Sequence, residues 1–537
     1  MGKFHKRSVR KAAEGVALLA SLVLFAMHYV HLSADFPNHS PWMDWAKYTD
    51  EGWYGDAAIR HFHLGHWYVR GDFNPAAALP VWPLLEAGLF HFTGVGVVPA
   101  RALTVSVFGL ILVCAYTFLA RALQPQHGKQ AGPKLAPAGA VLLLTASPFC
   151  YAFMRMAILE PLLVLWTLLA LLVASTLAPE PGERSRWVLP SIALGVLLPL
   201  MVLTKTTAIF LLPAVAWMVA ARCGFRMKAM LRTGGLAGGI GVSLWLLYFG
   251  LVVRPHFLED YRYLFSANAY TGITLATAAS VLLNTVRDGR WIGPVLFPLA
   301  MLAVLLTIAW PRLRRCAPAM SLVLWALGYG CFLAYHNNLQ PRYYLVIVVP
   351  LTMLLALVLE IAWREGRHLL PGAAAAILLV SVVLDARETI AYVRSPEYTF
   401  LNAARRIQSI IQANRKHNHL LLSISGSDLS LMTGLPSICD DFGTLELDNR
   451  IALYKPGWYV SWNQVDDDKM DALTPLFHLE RVAAFPALDD PDRNLLILYR
   501  LDPAAGYRPP FRPRRRPLPK SLISRLGQQP SASQLQH

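Results

Sequence analysis

Two neighbouring carboxylates, Asp50 and Glu51, stand just before Trp53 and Tyr54 in a stretch dense with tryptophan and tyrosine. Beside a bilayer, low polarity raises the pKa of at least one such acid toward the working range, which makes the pair a candidate general base. A plainer use exists. Thr49, Asp50 and Glu51 open a predicted helix running to about His63, and acids in a first turn often do no more than cap it. Asp44, Asp56 and Asp72 are further acids of the same stretch.

Four more ionisable residues lie inside or at the rim of apolar runs, where a charge costs roughly 2.5–3.5 kcal/mol at the bilayer centre. Arg155 and Glu160 occur in FMRMAILEPLLVLW, Lys205 in LTKTTAIF and Arg342 in NNLQPRYYLVIVVP. Each has a structural use on its own: Glu160 can cap a helix whose first position is Pro161, and Lys205 can snorkel. Under one topology, however, all four fall at the same membrane face as Asp50 and Glu51. A carboxylate to take a proton and cations to hold a phosphate are what a reaction on a lipid-linked phosphate requires. A transporter more often buries such groups near the midplane.

His61, His63 and His66 suggest a metal only superficially. Positions i and i+2 of a helix point about 200° apart, so His61 and His63 cannot share a site there. No Cys or carboxylate completes a familiar spacing, and no metal ligand is assigned. The six cysteines (Cys114, Cys150, Cys223, Cys316, Cys331, Cys439) form no CxxC and imply no disulfide framework.

The elements that must carry these residues are membrane helices. Of 537 residues, 55% are hydrophobic and 15% charged, too few charges to cover a soluble protein of this length. The net charge of +16 follows the positive-inside rule rather than announcing a nucleic-acid partner. Residues 1–12 are a basic cytoplasmic N-terminus. Ala13–Leu32 reads as an uncleaved span, and further windows at 100–120, 137–153, 156–176, 188–204, 206–222, 233–253, 291–310, 318–335, 343–363 and 369–386 bring the total to about eleven. Alternating them puts Arg121/Lys129/Lys134, Arg184/Arg186, Arg222/Arg226/Lys228/Arg232, Arg312/Arg314/Arg315 and Arg364/Arg367 in the cytoplasm.

The predicted fold class is therefore a polytopic α-helical membrane protein, with a membrane domain over 13–387 and a long first extracytoplasmic loop over 33–99. Within that loop Ala78–Phe92, broken by Pro80 and Pro83, reads as a partly embedded element. Residues 388–508 read as a small extracytoplasmic α/β domain, with a helix over 397–414 and strands at Leu420–Ile424, Trp458–Trp462, Arg481–Phe485 and Leu495–Tyr499. Asp466-Asp467-Asp468 reads as a solvated turn. A disordered basic tail rich in proline is expected over 509–537.

With these residues in view, the chain resembles the GT-C superfamily of integral-membrane glycosyltransferases, in particular the protein O-mannosyltransferase and lipid A aminoarabinose transferase branch (glycosyltransferase family 39-like). DEGWYGDAAIRHFHLGHWYVRGDFNP is similar to that branch's first-loop pattern. RMAILEPLL resembles its Arg…Asp-Pro-Leu-Leu element, with Glu160 where Asp is usual. LTKTTAIFLLP and QPRYYLVIVVP resemble its Lys hairpin and its Arg-Tyr…Pro segment. The resemblance covers about residues 10–390, and the C-terminal region has no close match to the aminoarabinose transferase.

The resemblance implies inverting transfer of a sugar from a polyprenyl-phosphate-linked donor to a protein, lipid or glycan acceptor outside the cytoplasm. Asp50 or Glu51 would be the catalytic carboxylate, with Asp50 favoured. Lys205, Arg342 and Arg155 would bind the donor phosphate, Glu160 would be a second acid, and Tyr54 and Asp44 would face the acceptor. A divalent cation serves some branches of the superfamily and is not demanded here. The C-terminal domain would bind acceptor or act as a lid, in a bacterial inner membrane rather than endoplasmic reticulum. The alternatives are a flippase of lipid-linked glycan, which would show internal repeats that this sequence lacks, and a surface-polysaccharide polymerase or ligase using a diphosphate donor.

Overall fold

The structure, a computed structural model, describes residues 2–124, 135–178, 185–267, 274, 276–336 and 340–504. The expected tail over 509–537 lies outside the described residues, as do Lys129, Lys134 and Arg184. Helix α1 (Gly2–Met27) includes most of the basic N-terminal stretch and stops before Leu32, where the chain turns and His31 takes a φ of 55°. The long loop that follows holds α2 (Asp50–Leu64), closed by Gly65 in the left-handed conformation, and α3 (Val81–Thr93). The prolines do not break α3. Pro80 precedes it and Pro83 sits in its first turn, where a missing N–H leaves no helical bond unmade.

The helices α4 (Val97–Ala122), α5 (Leu135–Ala146), α6 (Pro148–Phe153), α7 (Leu159–Ser175), α8 (Ser185–Thr204) and α9 (Leu212–Arg222) come next. The window 137–153 is two helices because Pro148 opens α6 and the Ser147 hydroxyl accepts the Cys150 N–H at 3.2 Å. There follow α10 (Met227–Tyr248), α11 (Leu258–Ala267), α12 (Ala278–Asp288), α13 (Leu296–Ala309), α14 (Pro311–Arg314), α15 (Ala317–His336), α16 (Leu345–Arg364) and α17 (Leu369–Arg394).

Among the described residues, six stretches are long and apolar enough to cross a bilayer alone, and four shorter apolar helices accompany them. One of the six, Met227–Ser266, is a 40-residue rod, about 60 Å long at 1.5 Å per residue and so twice the hydrocarbon thickness. Its middle, Phe249–Phe257, is a π-helix containing Pro255, whose missing N–H is one cause of such a register change. The rod ends in α11. At the centre lies α16, almost wholly buried against α5, α7, α13 and α15.

Helix α17 runs past residue 388 without a break, so the next helix, α18 (Thr399–Ala413), starts the C-terminal domain proper. That domain contains β1 (Leu421–Leu422), α19 (Gly426–Thr433), β2 (Ser437–Ile438), α20 (Leu447–Tyr454), β3 (Trp458–Trp462), α21 (Asp467–Leu473), β4 (Phe477–Asp490) and β5 (Arg493–Pro503). The sheet order is β2-β1-β3-β5-β4, parallel among the first three strands and antiparallel thereafter. The amphipathic α18 buries Phe400, Ala404, Ile407 and Ile411 against Trp458, Val460 and Leu498 of that sheet. Asp467 and Asp468 are not a free turn: they form the first turn of α21, where acids complement the helix dipole.

Candidate active site

Thr49 does not cap α2 with its side chain, and Asp50 and Glu51 are both buried. Consecutive helical side chains diverge by about 100°, and the two acids accordingly have different partners. Asp50 Oδ2 lies 3.1 Å from Arg342 Nε. Glu51 turns the other way, accepting from Arg101 Nε at 2.8 Å and Nη2 at 2.5 Å and from the Ala157 backbone N–H at 2.8 Å. The expected carboxylate pair is therefore split. Glu51 ties α2 to the start of α4 and to the chain ahead of α7, whereas Asp50 faces a cavity.

Around Asp50 gather three of the membrane-rim residues. Arg342 occupies a 3-10 turn, Pro341–Tyr344, that leads into the central helix α16. Its guanidinium pairs with Asp44 and Asp50 and lies 3.9 Å from Glu160 Oε1. Lys205 sits in the extended break between α8 and the turn Thr206–Leu211, and its ammonium donates to Glu160 at 2.5 Å. Both cations lie over the Tyr343 ring at 4.8 Å. Glu160, in the first turn of α7 and 0% exposed, has Lys205 rather than a helix end as its partner. The cluster holds three acids, Asp44, Asp50 and Glu160, against two cations.

Two expected site residues do not line the cavity. Arg155 donates to Tyr151 and to the Val30 and His31 carbonyls at 2.8 and 2.7 Å, fastening the end of α1. Its place near a span end gave no warning of those nearby carbonyls. Asp44 stands behind Arg342, receiving both its guanidinium and its backbone N–H, the latter at 2.8 Å. Both of its carboxylate oxygens are taken up by Arg342, with Oδ1 also accepting the Ala46 N–H. Tyr54, one turn after Asp50, does line the cavity.

The cavity has a volume of about 560 Å³. Asp50, Lys205 and Arg342 line it with Trp45, Trp53, Tyr54 and Phe73 of the first loop, Leu264 and Phe265 of α11, and Phe332, Tyr335 and His336 of α15. Ile209, Phe265 and Tyr335 are also exposed on the outside, so one rim of the cavity is apolar and open. The C-terminal domain supplies Ile424, Asp441 and Phe442. Burial pushes the Asp50 carboxyl above the usual carboxylate range, opposed chiefly by Arg342. Burial also drives the Tyr54 phenol well above its ordinary value, keeping it a hydrogen-bond donor. The three carboxylates each face Lys205 or Arg342, a set that does not fit a divalent cation. Among the described residues no group of three or more His, Cys, Asp or Glu is placed to hold one.

The C-terminal domain is seated on α2 itself. The Gly52 N–H donates to the Asp428 carboxylate, Trp53 Nε1 donates to the Ile424 carbonyl at 3.1 Å, and the Ser427 hydroxyl donates to Asp56 at 2.9 Å. Asp56 pairs with Arg60 at 2.8 Å, Arg60 with Asp72 at 2.5 Å, and Asp72 with Arg450 of α20 at 3.0 Å. Burial raises the Asp56 carboxyl to about 7 against the pull of Arg60. Sequence reasoning missed Arg101, Asp428, Asp441 and Arg450. Arg101, a charge at the head of an apolar helix, carried the same signal as Arg155; the other three lie in ordinary soluble sequence and carried none.

No protein-family model matches the sequence, and no curated protein does. Among solved structures, the chain is similar to ArnT from Cupriavidus metallidurans in the apo state, with a TM-score of 0.59 and 17% identity over 91% of this chain and 98% of that one. It is similar to the same protein bound to undecaprenyl phosphate, with a TM-score of 0.58 and 17% identity over 90% of this chain and 98% of that one. The archaeal oligosaccharyltransferase AglB from Archaeoglobus fulgidus, in complex with an inhibitory peptide and a dolichol-phosphate, aligns with a TM-score of 0.51 and 13% identity over 96% of this chain and 77% of that one. What is shared at these identities is the fold. The chain is a polytopic α-helical membrane protein with the fold of these structures, and the likeness extends beyond residues 10–390 into the C-terminal domain.

Proposed function

We propose that this chain is an inverting glycosyltransferase of GT-C type that moves a sugar from a polyprenyl-phosphate-linked donor to an acceptor outside the cytoplasm. The observation that carries the reading is one cavity lined by Asp50, Lys205 and Arg342 and opening past Ile209, Phe265 and Tyr335. The apolar rim suits an isoprenoid tail and the cations suit its phosphate. The undecaprenyl phosphate in the ArnT structure and the dolichol-phosphate in the AglB structure support that reading.

The charges explain the order of events. Before the donor arrives, Arg342 and Lys205 are occupied by Asp44, Asp50 and Glu160. A phosphodiester drawing Arg342 toward itself releases Asp50 to meet an acceptor hydroxyl, with Tyr54 one turn away to orient it. The hydroxyl oxygen attacks the anomeric carbon, its proton passes to Asp50, and the bond from that carbon to the phosphate oxygen breaks. The phosphate leaves with one more negative charge than it brought. Lys205 and Arg342 therefore bind the leaving group more strongly than the substrate, which is what lowers a barrier. In this reading Glu160 aligns Lys205, and the C-terminal domain stands over the external face of a bacterial inner membrane.

Purified protein in lipid nanodiscs, given undecaprenyl-phosphate sugars and a periplasmic extract as acceptor, should release undecaprenyl phosphate and glycosylate the extract. Movement of the intact lipid-linked sugar across a liposome, with no release of undecaprenyl phosphate, would sink the reading in favour of a flippase.

A further inference from the structure

One wall of the cavity takes no part in binding the phosphate or moving the proton. It is the turn Cys439–Phe442, just after β2, which brings Asp441 and Phe442 into the lining. A fully buried guanidinium shapes this turn. Arg450 Nη1 donates to the Cys439 and Phe442 carbonyls, each at 2.5 Å, and Nη2 donates to the Asp441 carbonyl at 3.1 Å. Asp72 of the first loop completes the clamp, lying 3.0 Å from Arg450 Nη1 and accepting the Cys439 N–H at 3.0 Å. The rigid fork of arginine serves several acceptors at once, which a lysine could not do.

The turn presents a particular surface. Phe442 meets Trp53 edge-on with centroids 5.2 Å apart and Phe73 at 5.4 Å, and Trp53 meets Phe73 at 5.1 Å. All three rings line the cavity, and Trp53 is one helical turn from Asp50 on the same face of α2. Beside them the Asp441 side chain is 34% exposed, with Lys469 Nζ 3.7 Å away. Aromatic rings next to a carboxylate suit a pyranose: the C–H face of the sugar packs on the rings, and neighbouring hydroxyls donate to the acid.

We propose that Asp441 and the Trp53–Phe73–Phe442 cluster bind the sugar ring of the lipid-linked donor, a pyranose with adjacent free hydroxyls, and that Arg450 and Asp72 are the positioning residues that hold the turn in place. This rests on the reading of the cavity as a donor site, and it assigns the recognition of the sugar to the C-terminal domain and the first loop together.

Native mass spectrometry of the full chain in nanodiscs tests it without an acceptor. The probes are bare undecaprenyl phosphate and undecaprenyl phosphate carrying glucose, mannose, galactose or arabinose. At least one glycosylated lipid should bind the wild type about tenfold more tightly than the bare lipid. Asp441→Asn and Phe442→Leu should lose that gain while keeping bare-lipid affinity within about twofold, because neither side chain touches Lys205 or Arg342, the cations proposed to hold the phosphate. Arg450→Lys should lose it as well, and if that variant fails to fold the two cavity-lining variants still decide. A gain that survives in Asp441→Asn and Phe442→Leu overturns the assignment, as does a wild type that gains nothing from any of the four sugars. Failure of the underlying reading is separately visible: bare undecaprenyl phosphate would not bind the wild type, or would bind Lys205→Met equally well.

Discussion

Arg342 Nε stands 3.1 Å from the Asp50 carboxylate, so the base and a phosphate-binding cation of the proposed reaction occupy each other until substrate parts them. Asp50→Asn removes the proton acceptor and, in the same stroke, a competitor for Arg342. Turnover should fall by about 10²–10⁴-fold, the usual contribution of a positioned base. Affinity for undecaprenyl phosphate should rise, not fall. A variant that transfers sugar at the wild-type rate would remove Asp50 from the mechanism.

The raised pKa of Asp50 sets a pH dependence whose sign is fixed by its role. Burial lifts the carboxyl, Arg342 pulls it down, and Asp44 and Glu160 add to the rise. A base must be deprotonated, so kcat/KM should climb as pH rises through the shifted value and level off above it. That acid limb should lie above the ordinary aspartate value of about 3.9. Glu160→Gln deletes a negative neighbour and should move the limb to lower pH. A limb at the ordinary value, or one indifferent to Glu160→Gln, contradicts the assignment.

Glu51 should behave as the opposite of its neighbour. Its ion pair with Arg101 is buried at both ends, and removing one partner of such a pair costs about 3–5 kcal/mol because the other charge is left unmatched. Glu51→Gln should therefore lower Tm while the folded fraction retains turnover, and Glu51→Gln/Arg101→Met should recover part of the Tm. Unchanged Tm with lost turnover would return Glu51 to the chemistry.

These two acids also mark how far the sequence could be read. The eleven apolar windows each meet a helix, because burial in lipid leaves a period and a length that composition alone reveals. The segment from Asp50 to about His63 is indeed helical, and Asp50, Lys205, Glu160 and Arg342 do come together. Which of two adjacent acids faces the cavity was not legible. It depends on the azimuth of α2, and that is set by Asp428, Ile424 and Ser427 some 370 residues later in the chain. Arg155 failed for a related reason. A cation at a span end is equally suited to phosphate and to the carbonyls of an ending helix, and only the packing of α1 against it decides.

Gly52 reports on that azimuth. A Cβ there would run into the Asp428 backbone nitrogen and the Ser427 carbonyl carbon, atoms of a helix start that cannot turn aside. Gly52→Ala should push α2 away from α19, lowering Tm and reducing turnover by more than about tenfold, since small misplacements of a base are expensive. Gly88→Ala in α3, where a Cβ meets open space, should gain up to about 1 kcal/mol of helix stability and leave turnover alone. Equal, small effects of the two substitutions would mean that the C-terminal domain does not fix α2.

The Lys205–Glu160 pair allows stability and binding to be separated. Lys205→Met leaves Glu160 fully buried with Arg342 3.9 Å away as its remaining cation, and an unmatched buried charge should lower Tm markedly. Adding Glu160→Gln removes that charge, and a neutral pair of similar volume should bring Tm most of the way back. Undecaprenyl-phosphate affinity should not follow. It should stay about tenfold or more below the wild type in both variants, because in the proposed reaction Lys205 makes a charge-assisted bond to the phosphate itself. Thermal unfolding and lipid binding measured on the same preparations would show the two quantities parting. If binding recovers together with Tm in the double variant, Lys205 serves the fold and Arg342 alone must hold the phosphate.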